Sequence, residues 1–191
     1  MSSARGILFD FNGTLFFDTA LHIEAFRNVF PLYGKERPSR EFIVSNLIGR
    51  TNESIYKDIF NKDAEFSEYD DFRKKKEEAY YRLCLADKSI FKLVDGAEEM
   101  LDYLKKMKVP YTIATGSGEE EMDFFFEHLG LGRWFNKDKL IFTNGKFNGK
   151  PAPDCYLLAA ENIGLPASSC PYLLCYGQQY YDNTTSNISV C

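Results

Sequence analysis

Two apolar runs in this chain, each followed at once by a polar side chain, have the pattern of short buried strands. The first run, Ile7–Phe9, ends at Asp10 and is followed by a turn at Gly13, and the second, residues 110–115, ends in the hydroxyl of Thr115. Continuous apolar runs of this length are typical of strands inside a parallel sheet. Open α/β sheets bind their ligands at the carboxyl edge, where both polar side chains are then expected. Taken alone, the first fragment fits a strand followed by an Asx-type turn equally well.

The rest of the chain shows helical spacing between these strands and after them. For about seventy residues beyond Leu15 the apolar positions follow a helical period, and from Leu93 onward helical stripes alternate with short strands such as 140–142. Ser117 is expected to cap the helix that follows the second strand. Strands that alternate with helices predict a parallel, doubly wound sheet, and the long helical stretch predicts an insertion.

Composition narrows the class of protein. The chain has 191 residues, 45% of them hydrophobic, and a net charge of -5. This length supports one sizeable core with a small accessory domain, and the negative charge opposes binding to nucleic acid or to anionic membranes. The sequence lacks an apolar stretch of the ~20 residues needed to span a bilayer. Five cysteines without metal-ligand spacing are expected to be reduced thiols, so a cytoplasmic protein is predicted.

A third polar signal follows the second strand, where Lys150 lies in the segment Gly-Lys-Pro-Ala-Pro-Asp at residues 149–154, just before a predicted helix. A carboxylate at Asp10, a hydroxyl at Thr115 and an ammonium at Lys150 each lie near a strand–helix junction. In this order they resemble the first three motifs of the haloacid dehalogenase-like hydrolase superfamily. The likeness is strongest to its β-phosphoglucomutase and small phosphatase branch, and it covers roughly residues 5–170.

This resemblance implies a division of the chain into two domains. Residues 1–16 and 92–191 would form a Rossmann-like α/β core with a doubly wound parallel sheet, and 17–91 would form an inserted all-α cap domain. Gly49 and Arg50 would lie in the cap's substrate loop, although the same segment also fits an ordinary helix start capped by Thr51 or Asn52. The basic run 73–78 is expected to be a solvated helix face, with the alternative that one of its lysines contacts a substrate phosphate.

The resemblance also implies a chemistry for the strand ends. Asp10 would attack phosphorus and share Mg²⁺ with the phosphate, while Lys150 would hold the carboxylate and the developing charge. Thr115 would donate a hydrogen bond to a phosphoryl oxygen, and Gly116 and Ser117 would contact the substrate. Backbone N–H groups after Asp10 are expected to complete the phosphate cradle.

Position 12 departs from the phosphatases and mutases of the family. They carry an aspartate two residues after the nucleophile, which protonates the leaving oxygen and later activates water, whereas this chain has Asn12. An amide has no dissociable proton near neutral pH, so Asn12 can orient a group but cannot act as a general acid or base. His22 lies where related sequences carry a histidine that assists proton transfer, and it fits an ordinary, partly exposed helix histidine equally well.

The fourth motif departs from the family as well. Residues 172–176 are predicted to form its strand, and the following segment has Gln178 where relatives have the first of two metal-binding acids. The resemblance therefore implies a Mg²⁺ site formed by Asp10, Asn12 and Asp182. Nine residues follow Asp182, and the tail from about Pro171 is polar, tyrosine-rich and without helical periodicity, so a truncated, frame-shifted or divergent C-terminal part is expected.

Together these patterns predict a Mg²⁺-dependent phosphatase or phosphomutase that acts on a small phosphorylated metabolite through an aspartyl-phosphate. Two alternatives fit the same residues. A dehalogenase-type or phosphonate-cleaving enzyme would not use the aspartate that is missing at position 12, and a dehalogenase would need no Mg²⁺. A catalytically impaired protein of this fold would bind a phosphorylated ligand or a protein partner without turnover.

Overall fold

The computed structural model describes residues 6–148, 150, 152–170, 172–173 and 188–189. The chain forms two compact units. One combines Met1–Phe17 with Lys92–Cys191, and the other is Asp18–Phe91. The first unit contains the sheet, and the second is helical throughout its described secondary structure. The role of the helical unit as a cap stays a prediction.

The first unit is built on a five-stranded parallel sheet with the strand order β3-β2-β1-β4-β5. The strands are β1 (Ile7–Phe9), β2 (Tyr111–Gly118), β3 (Ile141–Thr143), β4 (Tyr172–Leu173) and β5 (Ile188–Ser189). The predicted α/β class with a parallel sheet is confirmed. β1 occupies the centre of this order, which explains why its three residues are apolar. The C-terminal segment contributes β5, which pairs with β4.

In the described part of the first unit, three α-helices accompany the sheet: α5 (Ala97–Lys106), α6 (Glu119–Leu129) and α7 (Asp154–Asn162). One face of the sheet packs on α7, where Leu8 and Ala114 join Cys155, Ala159 and Ala160 in a buried cluster. Because side chains alternate along a strand, the residue after Leu8 belongs to the other face. There Phe9 forms edge-to-face contacts with the rings of Tyr111 and Phe135, at centroid distances of 6.2 and 6.3 Å.

The helical unit contains α1 (Thr19–Val29), α2 (Arg40–Asn46), α3 (Asn52–Ile59) and α4 (Phe66–Ala86). Local capping explains where three of these helices begin. Ser39 and Thr51 accept hydrogen bonds from backbone N–H groups at the starts of α2 and α3, and Glu65 with Glu68 forms a capping box on α4. The apolar faces of the four helices meet in one core that includes Ile23, Phe26, Ile43, Ile55 and Phe72.

The basic run on α4 divides into an exposed part and a buried part. Lys74 and Lys75 are exposed and pair with Asp70 and Asp71 at 2.7 and 2.8 Å, as expected of a solvated helix face. Lys76 is buried instead, with its ammonium 5.5 Å from the ring centroid of Phe26 and 5.4 Å from that of Tyr80. A solvated face therefore accounts for only part of this run. Among the described residues, no helix combines the length and apolar character that crossing a bilayer requires.

Candidate active site

Asp10 and Lys150 form an ion pair at the carboxyl end of the central strand. Asp10 is the first residue after β1, and its Oδ1 lies 2.8 Å from Nζ of Lys150. Both side chains are largely withdrawn from solvent, with exposed fractions of 21% for Asp10 and 13% for Lys150. The backbone N–H of Phe11 donates to the same Oδ1 at 2.8 Å. The two residues that the sequence motifs select as nucleophile and cation are therefore brought together.

The loop after Asp10 is closed by its own hydrogen bonds. The N–H groups of Thr14, Leu15 and Phe16 all donate to the carbonyl oxygen of Phe11, at 2.9 to 3.2 Å, and the N–H of Gly13 donates to the carbonyl of Phe16. Gly13 has a φ of +75°, a conformation that glycine adopts at little cost. These four N–H groups are satisfied inside the loop. The expectation that the N–H groups after Asp10 form an open phosphate cradle is therefore wrong for these positions.

Aromatic contacts pack this loop against α6. Phe11, Phe16 and Phe125 are fully buried, and the ring of Phe125 on α6 lies 4.8 Å from that of Phe11 and 5.7 Å from that of Phe16. Rings in tilted or edge-to-face contact add stabilisation beyond the apolar area they bury. The segment that carries Asp10 and Asn12 is thus attached to a packed core at both of its ends.

Ser117, near the carboxyl end of β2, contacts the same loop. Thr115 is buried, and its Oγ1 accepts a 3.1 Å hydrogen bond from the backbone N–H of Ser117. The hydroxyl of Ser117 donates to Oδ1 of Asn12 at 2.8 Å. Gly116 between them is exposed, and a Cβ at this position would meet nothing within 4 Å. Asn12, Thr115 and Ser117 therefore form one connected polar group.

The prediction that Ser117 caps the helix after β2 is wrong. The residue at the N-cap of α6 is Gly118, without a side-chain hydrogen bond, and Ser117 is still part of β2. The strand continues beyond the apolar run because Gly118 pairs with Thr143 of β3. This extra length carries the Ser117 hydroxyl to Asn12.

Two residues of α7 border the ion pair and were not selected by the sequence motifs. The ammonium of Lys150 lies 5.1 Å from the ring centroid of Tyr156, a cation–π distance. Burial raises the pKa of the neighbouring Cys155 thiol, although the charge of Lys150 opposes this and that of Asp10 adds to it. A contact between Tyr156 and Lys150 could not be recognised from the sequence. A raised pKa favours the protonated thiol, which is a weaker nucleophile than the thiolate.

His22 belongs to the helical unit and is tightly held there. Its Nε2 lies 3.0 Å from Oδ2 of Asp18, and its ring stacks on that of Tyr80 with centroids 4.2 Å apart. Nδ1 of His22 is buried and finds no hydrogen-bond partner within the part of the chain that the structure describes. The spacing of four between Asp18, at the N-cap of α1, and His22 is a sequence signal for this pair, whereas the contact with Tyr80 has none. A role for His22 in proton transfer stays a prediction.

The predicted substrate loop lies between α2 and α3. Gly49 has a φ of +83°, and Arg50 follows it. The guanidinium of Arg50 donates to the carboxylate of Asp58 and, at 3.0 Å, to the carbonyl of Ser54. Thr51 caps α3 as the simpler interpretation of this segment expects. In this structure Arg50 is engaged by its own unit, and its contact with a substrate stays a prediction.

The donor set of the predicted Mg²⁺ site is suited to a hard cation as far as the structure describes it. Asp10 offers a carboxylate, and the amide oxygen of Asn12 has a second lone pair besides the one that accepts the Ser117 hydroxyl. Both are oxygen ligands of the kind that Mg²⁺ takes. Asp182 and Gln178, the acid and amide of the fourth motif, lie outside the described residues. Groups of three or more His, Cys, Asp or Glu side chains able to hold a metal are absent from the described ranges.

Comparison with known proteins identifies the family. A family model described as haloacid dehalogenase-like hydrolase matches residues 7–173. The match spans β1 through β4 together with the whole helical unit, and it includes Asp10, Thr115 and Lys150. The chain belongs to the haloacid dehalogenase-like hydrolases, and the predicted family is confirmed.

Individual relatives support this assignment. A phosphorylated carbohydrates phosphatase of Thermotoga maritima is 26% identical over 161 residues, which cover 84% of this chain and 71% of that protein. The fructose-1-phosphate phosphatase YqaB of Escherichia coli is 26% identical over 165 residues, or 86% of this chain and 83% of that protein. A crystal structure of a family IA, variant 3 hydrolase from Entamoeba histolytica has a TM-score of 0.81 and 36% identity, covering 88% of this chain and 74% of that one.

Proposed function

We propose that this chain is a Mg²⁺-dependent phosphatase or phosphomutase that acts on a small phosphorylated metabolite, with Asp10 as the nucleophile. The observation that carries the proposal is the 2.8 Å contact between Asp10 and Lys150 at the end of the central strand. The names of the two phosphatase relatives, which act on phosphorylated carbohydrates and on fructose 1-phosphate, favour a sugar phosphate as substrate.

In the first half-reaction the carboxylate of Asp10 attacks the phosphorus atom of the substrate. Oδ1 is held by Lys150 and by the N–H of Phe11, so the attack is assigned to Oδ2. A bond forms between Oδ2 and phosphorus, and the ester P–O bond breaks, so that the leaving oxygen departs with its electron pair and takes a proton from solvent water. Lys150 stabilises the charge that develops on the phosphoryl oxygens.

In the second half-reaction a water molecule attacks the phosphorus atom, the bond to Oδ2 breaks, and inorganic phosphate leaves with the Asp10 carboxylate restored. In a mutase a hydroxyl of the substrate takes the place of water. The Thr115 hydroxyl accepts the N–H of Ser117, so its own proton is available to donate to a phosphoryl oxygen. Mg²⁺, when bound by Asp10, Asn12 and Asp182, would neutralise part of the phosphate charge.

The test is a hydrolysis screen on a panel of phosphate esters that includes sugar phosphates, with and without Mg²⁺, on the intact chain. Asp10→Asn is the matched control because it preserves the shape of the side chain and removes its nucleophilic charge. Activity that needs Mg²⁺ and disappears in this variant is expected. Activity of Asp10→Asn equal to that of the parent would refute the assignment of the nucleophile.

A second candidate function is the binding of a phosphorylated ligand without turnover. Asn12 favours it, because an amide at this position cannot protonate the leaving group. Saturable binding of a phosphate ester to the wild-type chain, with neither product release nor labelling of Asp10, would identify this function. Turnover of a halogenated or phosphonate substrate would instead point to the other chemistries of the superfamily.

A further inference from the structure

The side chains of Ser117 and Asn12 connect the ends of two neighbouring strands. Ser117 lies in β2, Asn12 follows β1, and the two residues are 105 positions apart in the chain. Their 2.8 Å hydrogen bond runs from the hydroxyl of Ser117 to the amide oxygen of Asn12. Ser117 is only 9% exposed, so water competes weakly for this contact.

Both partners of this hydrogen bond are themselves held in place. The N–H of Ser117 donates to Oγ1 of Thr115, which fixes the strand end that carries the hydroxyl. Asn12 forms a parallel bridge with Phe16, whose ring is buried against Phe125. The hydrogen bond therefore joins two preorganised segments, and its geometry does not depend on the arrival of a substrate.

This hydrogen bond fixes the orientation of the Asn12 carboxamide, whose two terminal atoms differ chemically. Its oxygen accepts hydrogen bonds and its nitrogen only donates them, and a rotation about the last torsion exchanges the two ends. The Ser117 hydroxyl selects the orientation in which the oxygen faces β2. Asn12 is two residues from Asp10, so the orientation of this amide decides whether an acceptor oxygen or a donor nitrogen lies nearer the nucleophile.

We propose, on the basis of the proposed phosphoryl transfer, that Ser117 is a positioning residue for Asn12 and not a direct ligand of the substrate. Its hydroxyl keeps the Asn12 carboxamide oriented for the phosphoryl-transfer step. This role differs from the substrate contact that the sequence motif predicts for Ser117. A direct ligand contributes mainly to substrate binding, whereas an orienting hydrogen bond contributes mainly to the rate of the chemical step.

The kinetic test uses Ser117→Ala with Ser117→Thr as the matched control, because threonine keeps the hydroxyl and suits a strand. Ser117→Ala is expected to lower kcat by roughly 10-fold to 100-fold, as for a lost orienting contact, with KM changed less than about twofold. Ser117→Thr should recover most of kcat. A rise in KM at constant kcat would show that Ser117 binds the substrate directly and would overturn the proposal.

A double-mutant cycle shows whether Ser117 acts through Asn12. In the Asn12→Ala background the Ser117→Ala change is expected to have no further effect on kcat, because the group that it orients is already gone. Equal and additive losses in both backgrounds would contradict the proposal. Thermal melting of every variant separates a loss of folded protein from a loss of rate.

A measurement that needs no turnover separates this proposal from the function on which it rests. The side-chain ¹⁵NH₂ signal of Asn12, assigned by its loss in Asn12→Ala, should show an ordered amide in the wild type and in Ser117→Thr. The same signal should show greater motion on the ps–ns timescale in Ser117→Ala. An amide of unchanged order in Ser117→Ala would refute the positioning role. If the wild type turns over no substrate, the proposed function fails while this readout still decides the role of Ser117.

Discussion

The phenol of Tyr80 donates a 2.9 Å hydrogen bond to Oδ2 of Asp18, and both residues are buried in the helical unit. The same carboxylate oxygen lies 3.0 Å from Nε2 of His22. Asp18 occupies the N-cap position of α1, yet its side chain forms no capping hydrogen bond. Instead it connects the start of α1 to the middle of α4, which are adjacent helices of that unit.

The first prediction concerns this buried connection. Tyr80→Phe removes the phenol donor and leaves an oxygen of a buried carboxylate with one hydrogen bond fewer, so we expect a loss of about 1–3 kcal/mol in the free energy of unfolding. Urea unfolding at pH 7 measures it. Tyr103→Phe is the matched control, because that phenol is on an exposed side chain and should change stability little. Equal stability of the two variants would show that the Asp18 contact contributes nothing.

The second prediction concerns the cation beside the nucleophile. Lys150→Met keeps most of the length of the side chain and removes its charge 2.8 Å from Asp10, so kcat should fall by about 10²–10³, the usual effect of losing one donor to a developing charge. Lys150→Arg keeps the charge in a different geometry and should lose less. Steady-state kinetics on the substrate found in the ester screen measures both. Unchanged kcat in Lys150→Met would remove Lys150 from the mechanism.

The third prediction is a pH dependence of stability in the helical unit. Hydrogen bonds from Lys75 and then Tyr33 hold the pKa of the Asp71 carboxyl below its ordinary value of about 3.9. The folded state therefore favours the ionised carboxylate, and this stabilisation is present above pH ~4 and is lost as the pH falls through the lowered pKa. Because the Asp71 side chain is 52% exposed, the effect is expected to be small.

Urea midpoints at pH 6 and at pH 3 test this dependence. The stability difference between the wild type and Asp71→Asn should shrink at the lower pH, since protonation and the amide both remove the charge. Tyr33→Phe keeps the ring and removes one of the two donors to Asp71. The difference in stability between this variant and the wild type should therefore also shrink at the lower pH. A difference that grows toward pH 3 would contradict the expected sign.

The sequence was sufficient to predict the bounds of β1 and the charged residues that meet at its carboxyl end. Asp10 and Lys150 meet as the motifs predict, because each motif lies at a junction that the alternation of strands and helices makes visible. The parallel sheet follows from the same alternation. These features depend on local patterns along the chain, and such patterns can be recognised without the folded structure.

The features that the sequence did not predict depend on pairing between distant segments. The apolar run of β2 ends before Ser117, but pairing with β3 extends the strand to Gly118 and turns the hydroxyl toward Asn12. The closed loop after Asp10 depends on which carbonyl its N–H groups reach, and composition does not encode this. The sequence pattern did not distinguish Lys76 from its exposed neighbours, because the burial of Lys76 depends on how α4 packs against α1.

The last prediction concerns the missing acid at position 12. Asn12→Asp introduces a carboxyl group that can donate a proton to the leaving oxygen and accept one from water. Phosphatase activity should rise by roughly the 10²–10⁴ that general acid–base catalysis supplies. The gain should depend on pH in a way that the parent does not, because the introduced group must change its protonation state between the two half-reactions.

The structure adds a reason to test His22 in the same experiment. Its Nε2 is paired with Asp18 and its Nδ1 is buried, so in this structure neither ring nitrogen is presented to solvent as a proton donor. We therefore expect His22→Ala to leave the gain from Asn12→Asp intact and to lower stability instead, because it removes the stacking partner of Tyr80. Activity of the parent that depends on His22, together with no gain in Asn12→Asp, would contradict this expectation and show that His22 already serves as the acid.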